Sequence, residues 1–170
     1  MKLIFEPLRS TMERAAFACG EPALDAYLHR QARQDMDRAF ATVIAACADT
    51  DPDKIVGYYT LNAASIPLTD IPEDARKKMP RYSSVPAVCL GRLAMSREHQ
   101  GKRMGTLLLI DALARSCRTE LAWAVFFVDA KHDRAGDFYQ KMMFQPFQDR
   151  PNSFWMHRKQ AEAIVAKLRR

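Results

Sequence analysis

The apolar residues of the chain repeat with the period of a strand in some segments and with the period of a helix in others. Strands are predicted at residues 2–7, 39–48, 55–66, 85–95, 121–130, 144–147 and 154–157. Helices are predicted from Pro22 onward, at residues 72–79, 104–118 and 134–142, and over the C-terminal segment from residue 157, which ends on Arg169 and Arg170. This order of elements predicts an α/β protein.

Two strand patterns indicate how the sheet is built. Residues 39–48 and 55–66 flank a polar turn, which predicts an antiparallel hairpin. Residues 121–130 are apolar on both faces, as in strands that helices cover on both sides. No internal repeat or linker interrupts the pattern. We therefore predict a single domain, residues 1–170, with a mixed sheet.

The charge of the chain narrows the choice of partner. Its 170 residues carry a formal net charge of +6, which favours a polyanionic partner, although a generally basic surface explains it equally well. The four cysteines are widely spaced and are interpreted as thiols in a reducing compartment. No apolar segment reaches the length of a signal peptide core or a membrane span. We expect a cytoplasmic protein that makes no contact with a membrane.

The segment from residue 90 to residue 108, LGRLAMSREHQGKRMGTLL, is the most informative one. A predicted strand leads into a basic, glycine-containing turn, and a predicted helix follows at once. Backbone N–H groups and the positive end of the helix dipole then point to one place, next to Lys102 and Arg103. Gly101 and Gly105 would let an anion approach the backbone. A phosphate site and an ordinary solvated loop both remain open from these residues alone.

This turn resembles the pyrophosphate-binding motif of the GNAT acetyltransferases, commonly [RQ]-x-x-G-x-[GA]. The order of elements also resembles that fold, which implies a mixed, mostly antiparallel sheet flanked by helices on both faces. Four segments resemble the toxin branch of the family more narrowly: CGEPALDAYLHRQA, VGYYTLNAASI, VPAVCLGRLAMS and DFYQKMMFQPF. Toxins of that branch are encoded with ribbon-helix-helix antitoxins and acetylate the α-amine of aminoacyl-tRNA.

The resemblance implies that acetyl-CoA is the acetyl donor. In the family, one strand separates from its neighbour and its free backbone groups pair with the pantetheine arm. The residues expected to bind acetyl-CoA are Leu93, Ala94, Met95, Gln100, Gly101, Lys102, Arg103, Met104, Gly105 and Thr106. Arg103 occupies the place of the family's middle glycine. We expect its guanidinium to bind the pyrophosphate through a charge-assisted hydrogen bond.

Tyr139 is the catalytic candidate. By its pattern alone it would be a core aromatic residue beside Phe138. The resemblance gives it the position of the tyrosine that protonates the departing CoA thiolate, and a phenol suits this task because it stays protonated at neutral pH. An α-amine, with a pKa of about 7.7–8.0, needs no strong base to become neutral. No metal site is expected, and the scattered histidines are interpreted as structural.

We therefore predict a toxin that acetylates aminoacyl-tRNA and blocks translation. The residues predicted to bind nucleic acid are Arg30, Arg33, Arg38, Arg76, Lys77, Lys78 and Arg92. The resemblance further implies a cognate ribbon-helix-helix antitoxin and a homodimer. One alternative is a GNAT enzyme that acts on a protein N-terminus or a small amine. Another is a binding module without catalytic activity.

Overall fold

Seven strands form one mixed sheet in the structure, a computed structural model that describes residues 1–168. Along the chain the strands are β1 (Leu3–Pro7), β2 (Thr42–Ala48), β3 (Asp51–Pro67), β4 (Ser84–Met95), β5 (Val125–Asp129), β6 (Gln145–Pro146) and β7 (Ser153–His157). Their order in the sheet is β1-β2-β3-β4-β5-β7-β6. β4 and β5 run parallel, whereas β1–β2, β2–β3, β5–β7 and β6–β7 are antiparallel. The predicted hairpin and the mostly antiparallel sheet are confirmed.

The helices lie where the apolar periodicity predicts them. They are α1 (Pro22–Ala26), α2 (Ala32–Asp37), α3 (Glu73–Arg76), α4 (Met104–Arg118), α5 (Asp133–Lys141) and α6 (Arg158–Leu168). A π-helical turn, Tyr27–Gln31, joins α1 to α2, and short 3₁₀ turns cover Leu68–Asp70 and Arg97–His99. Arg169 and Arg170, the predicted basic end of the last helix, lie outside the described residues.

Three strand boundaries predicted from the sequence are wrong. β3 begins at Asp51 rather than at residue 55, so the strand includes part of the predicted polar turn. β5 begins at Val125 rather than at residue 121, and Leu121 is 73% exposed. The indole N–H of Trp123 donates to the carbonyl of Ser116, so this residue packs against the end of α4 instead of extending the strand. β2 begins at Thr42 rather than at residue 39, because Ala39 has a φ of +59° and turns the chain at the end of α2.

The chain forms two compact units. The first comprises Met1–Asn62 and Gly91–Ala112, and its core contains Leu28, Val43 and Tyr58. The second comprises Ala63–Leu90 and the chain from Leu113, and its core contains Ile71, Phe127 and Trp155. The prediction of a single domain stays a prediction.

Candidate active site

The C-terminal half of β4 runs past its neighbour in the sheet. The parallel register with β5 extends from Ala87, opposite Val125, to Leu90, opposite Val128, whereas β4 continues to Met95. A strand that extends beyond its neighbour presents N–H and C=O groups along that edge. Leu93, Ala94 and Met95 all lie on the segment of β4 beyond this register, and the predicted pairing of their backbone groups with the pantetheine arm stays a prediction.

A glycine of β3 holds the end of β4 in place. A Cβ atom at Gly57 would lie 2.6 Å from Sδ of Met95 and 3.0 Å from the carbonyl oxygen of Ala94, so a larger residue there would displace the Met95 side chain and press on the backbone of β4. The backbone N–H of Ser96 also donates to the carbonyl of Val56 at 2.8 Å. These contacts fix the point at which β4 enters the basic turn.

Gln100 organises this turn through its side chain. Its Nε2 donates to the carbonyl of Cys19 at 2.7 Å and to the carbonyl of Met95 at 3.0 Å. The two hydrogens of the amide nitrogen are therefore used within the protein. The backbone N–H of Arg97 donates to the carbonyl of Ala18, which adds a further link between the turn and residues 17–20. The predicted contact of Gln100 with acetyl-CoA stays a prediction and cannot use these two hydrogens.

The turn itself has the geometry of an anion site. Gly101 has a φ of +76°, and a Cβ built on Gly101 or on Gly105 would meet no other atom within 4 Å. Lys102 and Arg103 are exposed, and Arg103 has a φ of +59°. The first N–H groups of α4 have no intrahelical acceptor and carry the positive end of the helix dipole. Open backbone, helix N-terminus and two cations together fit a diphosphate.

Tyr139 lies on α5 in the second unit, 6% exposed and surrounded by aromatic rings. The centroid of its ring lies 5.1 Å from that of Phe138, 5.5 Å from that of Phe144 and 6.4 Å from that of Phe154. Burial raises the pKa of its phenol above the ordinary value. The hydroxyl is therefore protonated at neutral pH, as an acid catalyst requires. Its catalytic role stays a prediction.

The basic residues predicted to bind nucleic acid fall into two classes. Arg30, Arg38 and Lys78 are exposed and Arg76 is half-buried. The other three have partners within the protein. Arg33 donates to the carbonyl of Leu8 and pairs with Asp37, Lys77 pairs with Glu73, and the guanidinium of Arg92 lies 3.5 Å from the ring centroid of Tyr27.

The group that holds Arg92 has no signal in the sequence pattern. Tyr27 donates from its hydroxyl to Oδ2 of Asp35 at 2.9 Å, and Gln31 donates to the other oxygen of that carboxylate. The π-helical turn between Tyr27 and Gln31 sets this alignment, and the apolar spacing does not distinguish it from α-helix.

The histidines make structural contacts. His29 bonds to the carbonyl of Phe17, His99 to the hydroxyl of Ser96, and His132 caps α5 by accepting from the backbone N–H of Ala135. Among residues 1–168 no group of three or more His, Cys, Asp or Glu side chains could hold a metal ion. No helix in this part of the chain is long and apolar enough to cross a membrane.

No family model matches the chain. A protein of Mycobacterium tuberculosis (strain ATCC 25618 / H37Rv) described as a tRNA-acetylating toxin is 32% identical over 152 residues, which cover 88% of this chain and 89% of that protein. The chain belongs to the family of tRNA-acetylating toxins. A second member, the probable toxin TacT of Sinorhizobium fredii (strain NBRC 101917 / NGR234), is 28% identical over 160 residues and 88% of each chain.

Solved structures confirm the GNAT fold of this toxin family. AtaT complexed with acetyl-methionyl-tRNAfMet superimposes with a TM-score of 0.86 at 29% identity, covering 96% of this chain and 99% of that one. AtaTR bound with AcCoA gives a TM-score of 0.81 at 28% identity, covering 95% and 97%. An AtaT variant with tyrosine replaced by phenylalanine, bound to the C-terminus of the antitoxin AtaR, gives 0.80 at 26% identity, covering 95% and 97%.

Proposed function

We propose that the protein transfers an acetyl group from acetyl-CoA to the α-amino group of an aminoacyl-tRNA and thereby blocks translation. The observation that carries this proposal is the 32% identity to a tRNA-acetylating toxin over 88% of the chain. The similarity to AtaT in complex with acetyl-methionyl-tRNAfMet supports the same class of acceptor.

The donor segment, defined as Leu93–Thr106, is proposed to bind acetyl-CoA. Backbone groups of Leu93, Ala94 and Met95 would pair with the pantetheine arm, because β4 extends beyond its register with β5 at these residues. The turn from Gly101 to Gly105 would hold the diphosphate with its amides and with the side chains of Lys102 and Arg103. Met104 and Thr106, both half-buried at the start of α4, would complete the segment.

Tyr139 is proposed as the general acid. Acetyl-CoA supplies an activated acetyl group as a thioester. The amine nitrogen forms a bond to the acetyl carbon, the carbon–sulfur bond breaks, and the Tyr139 hydroxyl gives its proton to the sulfur. The proton lost by the nitrogen restores the phenol directly or through water. No separate base is required, since about a tenth to a fifth of an α-amine is already neutral at pH 7.

Several partners follow from this function. Exposed cations, with Arg30, Arg38 and Lys78 as the clearest examples, are available for the phosphates of the tRNA. A cognate antitoxin of the ribbon-helix-helix class would restrain the toxin, in line with the structure of AtaT bound to the C-terminus of AtaR. We also propose that the protein forms a homodimer. Its compartment would be the cytoplasm, because charged tRNA is used there.

The decisive experiment is to incubate the purified protein with acetyl-CoA and charged tRNAs and to analyse the released aminoacyl groups by mass spectrometry. We expect an acetyl group on the α-nitrogen and no product with uncharged tRNA. Acetylation of free amines or peptide N-termini, with charged tRNA left unmodified, would select the alternative GNAT activity. Tight tRNA binding without any transfer would identify a binding module instead.

A further inference from the structure

A glycine, Gly136, lies inside α5, three residues before Tyr139. Glycine is less favourable than alanine inside a helix, because it loses more backbone freedom on folding. The backbone of Gly136 is that of an ordinary helical residue, since its N–H donates to the carbonyl of His132 and its φ is negative. Neither a turn nor a left-handed conformation explains the glycine, so the explanation has to come from packing.

Gly136 is buried where α5 packs on β7. A Cβ built on Gly136 would lie 3.0 Å from Cζ and 3.2 Å from Cε2 of Phe154. Carbon atoms that pack against each other are about 3.5–4.0 Å apart at their optimal separation. The ring of Phe154 therefore occupies space that the side chain of any other residue at position 136 would need.

The ring of Phe154 is held from several sides. Phe154 is buried in β7, where it lies opposite Val128 of β5 on one side and opposite Pro146 of β6 on the other. Its ring also stacks on that of Tyr139, with centroids 6.4 Å apart and planes at 30°. Gly136 and Tyr139 are three residues apart and lie on the same side of α5. A methyl group at Gly136 would press α5 away from β7 or the ring toward Tyr139, and either movement displaces Tyr139.

The other contacts of Tyr139 leave its side chain little freedom to compensate for such a movement. Its ring packs against those of Phe138 and Phe144, and its carbonyl accepts from the backbone N–H of Phe144 at 3.1 Å. Close-packed interiors pass a small shift on to neighbouring atoms. A proton donor acts only within hydrogen-bond reach of the atom that it protonates, so the position of the Tyr139 hydroxyl matters for the rate.

We propose that Gly136 is a positioning residue for the acetyl transfer. By leaving room for the ring of Phe154, it lets α5 lie close to β7 and sets the depth at which the Tyr139 hydroxyl lies. The inference rests on the proposed function, since it acts through Tyr139 as the general acid. Gly136 itself has no side chain and takes no part in the chemistry.

The test introduces Gly136→Ala into the full-length protein and measures transfer from radiolabelled acetyl-CoA to charged tRNA. We expect kcat to fall about 3- to 10-fold, because a shift of less than 1 Å costs less than the roughly 100-fold loss that a 1 Å misplacement causes. KM for acetyl-CoA should not change, since Gly136 lies outside the donor segment. The thermal midpoint should change little, because the higher helix propensity of alanine offsets the tighter contact. Unchanged kcat would overturn the inference, whatever the thermal midpoint.

Phe154→Leu tests the cause of the effect, because it removes the two ring atoms that the new methyl group would meet. In the Phe154→Leu background, Gly136→Ala should no longer lower kcat. An equal fall in both backgrounds would show that the contact with Phe154 is not the cause and would overturn the inference.

Gln140→Ala is the matched control, because it changes an exposed residue of α5 next to Tyr139 and leaves the contact between Gly136 and Phe154 intact. It should keep the wild-type kcat. A fall as large as that in Gly136→Ala would show that any change in α5 lowers kcat, which also overturns the inference.

Combining Gly136→Ala with Tyr139→Phe separates this inference from the proposed function. We expect Gly136→Ala to have no further effect once the hydroxyl is absent, because it acts through that group. If Tyr139→Phe lowers kcat and Gly136→Ala lowers it by the same factor in both backgrounds, the positioning role is refuted and the general acid stands. If Tyr139→Phe keeps the wild-type kcat, the proposed acid is wrong and the positioning role is refuted with it.

A small primary amine run beside charged tRNA tests the acceptor separately. If the wild type acetylates only the small amine, the proposed tRNA substrate is wrong and the same variants are compared on that amine. If it acetylates neither acceptor, the positioning role is refuted along with the proposed function.

Discussion

Gly101 and Arg103 lie two residues apart in the turn before α4, and both have a left-handed backbone, with φ of +76° and +59°. Glycine adopts this conformation without steric cost, whereas a residue with a β-carbon pays about 1–2 kcal/mol. The resemblance to the GNAT motif places a glycine at the position of Arg103. The left-handed backbone at this position explains why the family motif has a glycine there. In this protein Arg103 adopts the same backbone conformation at a cost in strain.

Replacing Arg103 by glycine should therefore separate stability from ligand binding. We expect the free energy of unfolding to rise by up to about 1 kcal/mol, since the relieved strain exceeds the added freedom of the unfolded chain. Affinity for CoA should fall, because the variant lacks the guanidinium that would bind the diphosphate. Urea denaturation and titration calorimetry measure the two quantities.

A ligand without the diphosphate tests whether Arg103 affects CoA affinity through that group. Pantetheine lacks the diphosphate, so its affinity should be the same for the wild type and Arg103→Gly. Arg103→Lys keeps the strained backbone and the charge and should lie between the two in CoA affinity. Equal CoA affinity in all three proteins would refute a contact between Arg103 and the diphosphate.

Tyr139→Phe should lower kcat by about 100-fold or more, the usual contribution of a general acid. The ring contacts with Phe138, Phe144 and Phe154 stay in place, so the thermal midpoint should change little. Because burial raises the phenol pKa, no fall in rate at neutral to mildly alkaline pH should come from ionisation of Tyr139. Steady-state kinetics on the acceptor, across pH, measure both effects.

Tyr58→Phe provides the control, since Tyr58 is a buried tyrosine whose hydroxyl donates to the carbonyl of Leu24. That variant should lose about 1 kcal/mol of stability and keep its kcat. Unchanged kcat in Tyr139→Phe would leave Tyr139 as a residue of the aromatic cluster only.

Local pattern predicts those parts of this chain whose structure is decided locally. The bounds of α4 agree with the prediction at both ends, because a glycine turn precedes a long amphipathic run. The apolar pattern places Leu121 in a strand, whereas the contact between Trp123 and Ser116, which depends on packing, keeps residues 121–124 out of β5. Arg33 and Arg92 look like surface cations in the sequence, and their partners Leu8 and Tyr27 are distant along the chain.

The difference between exposed arginines and arginines with partners inside the protein can be tested by tRNA binding. Arg30 and Arg38 are exposed, so replacing both by glutamine should weaken tRNA binding without lowering stability. The negative slope of log affinity against log salt concentration should become shallower by about 1 to 2, because up to two phosphate contacts are lost. Binding titrations at several salt concentrations measure this slope.

Arg33→Gln is the contrasting variant. It loses the hydrogen bond to the carbonyl of Leu8 and the ion pair with Asp37, so it should destabilise the protein by about 1 kcal/mol. An unchanged salt slope in the double variant of Arg30 and Arg38 would exclude this surface from the tRNA contact.

His157 should make stability depend on pH. Its ring lies 4.9 Å from that of Trp155, and burial, together with the positive charges of Lys78 and Lys159, lowers its pKa below the ordinary value. The unfolded chain then binds a proton more readily than the folded one as the pH falls below about 6.5. The contribution of neutral His157 to the free energy of unfolding is therefore fully present above that pH. It is lost as the pH falls through the pKa of His157 in the folded protein.

Urea denaturation of the wild type and of His157→Gln, from about pH 7 down to about pH 5, isolates this effect, because carboxylates contribute equally to both proteins. The wild type should lose more free energy of unfolding than the variant over this range. Raising the salt concentration should reduce the difference, since it screens Lys78 and Lys159 but leaves the burial of the ring unchanged. A difference between the two proteins that stays constant with pH would show that His157 titrates alike in the folded and unfolded chains.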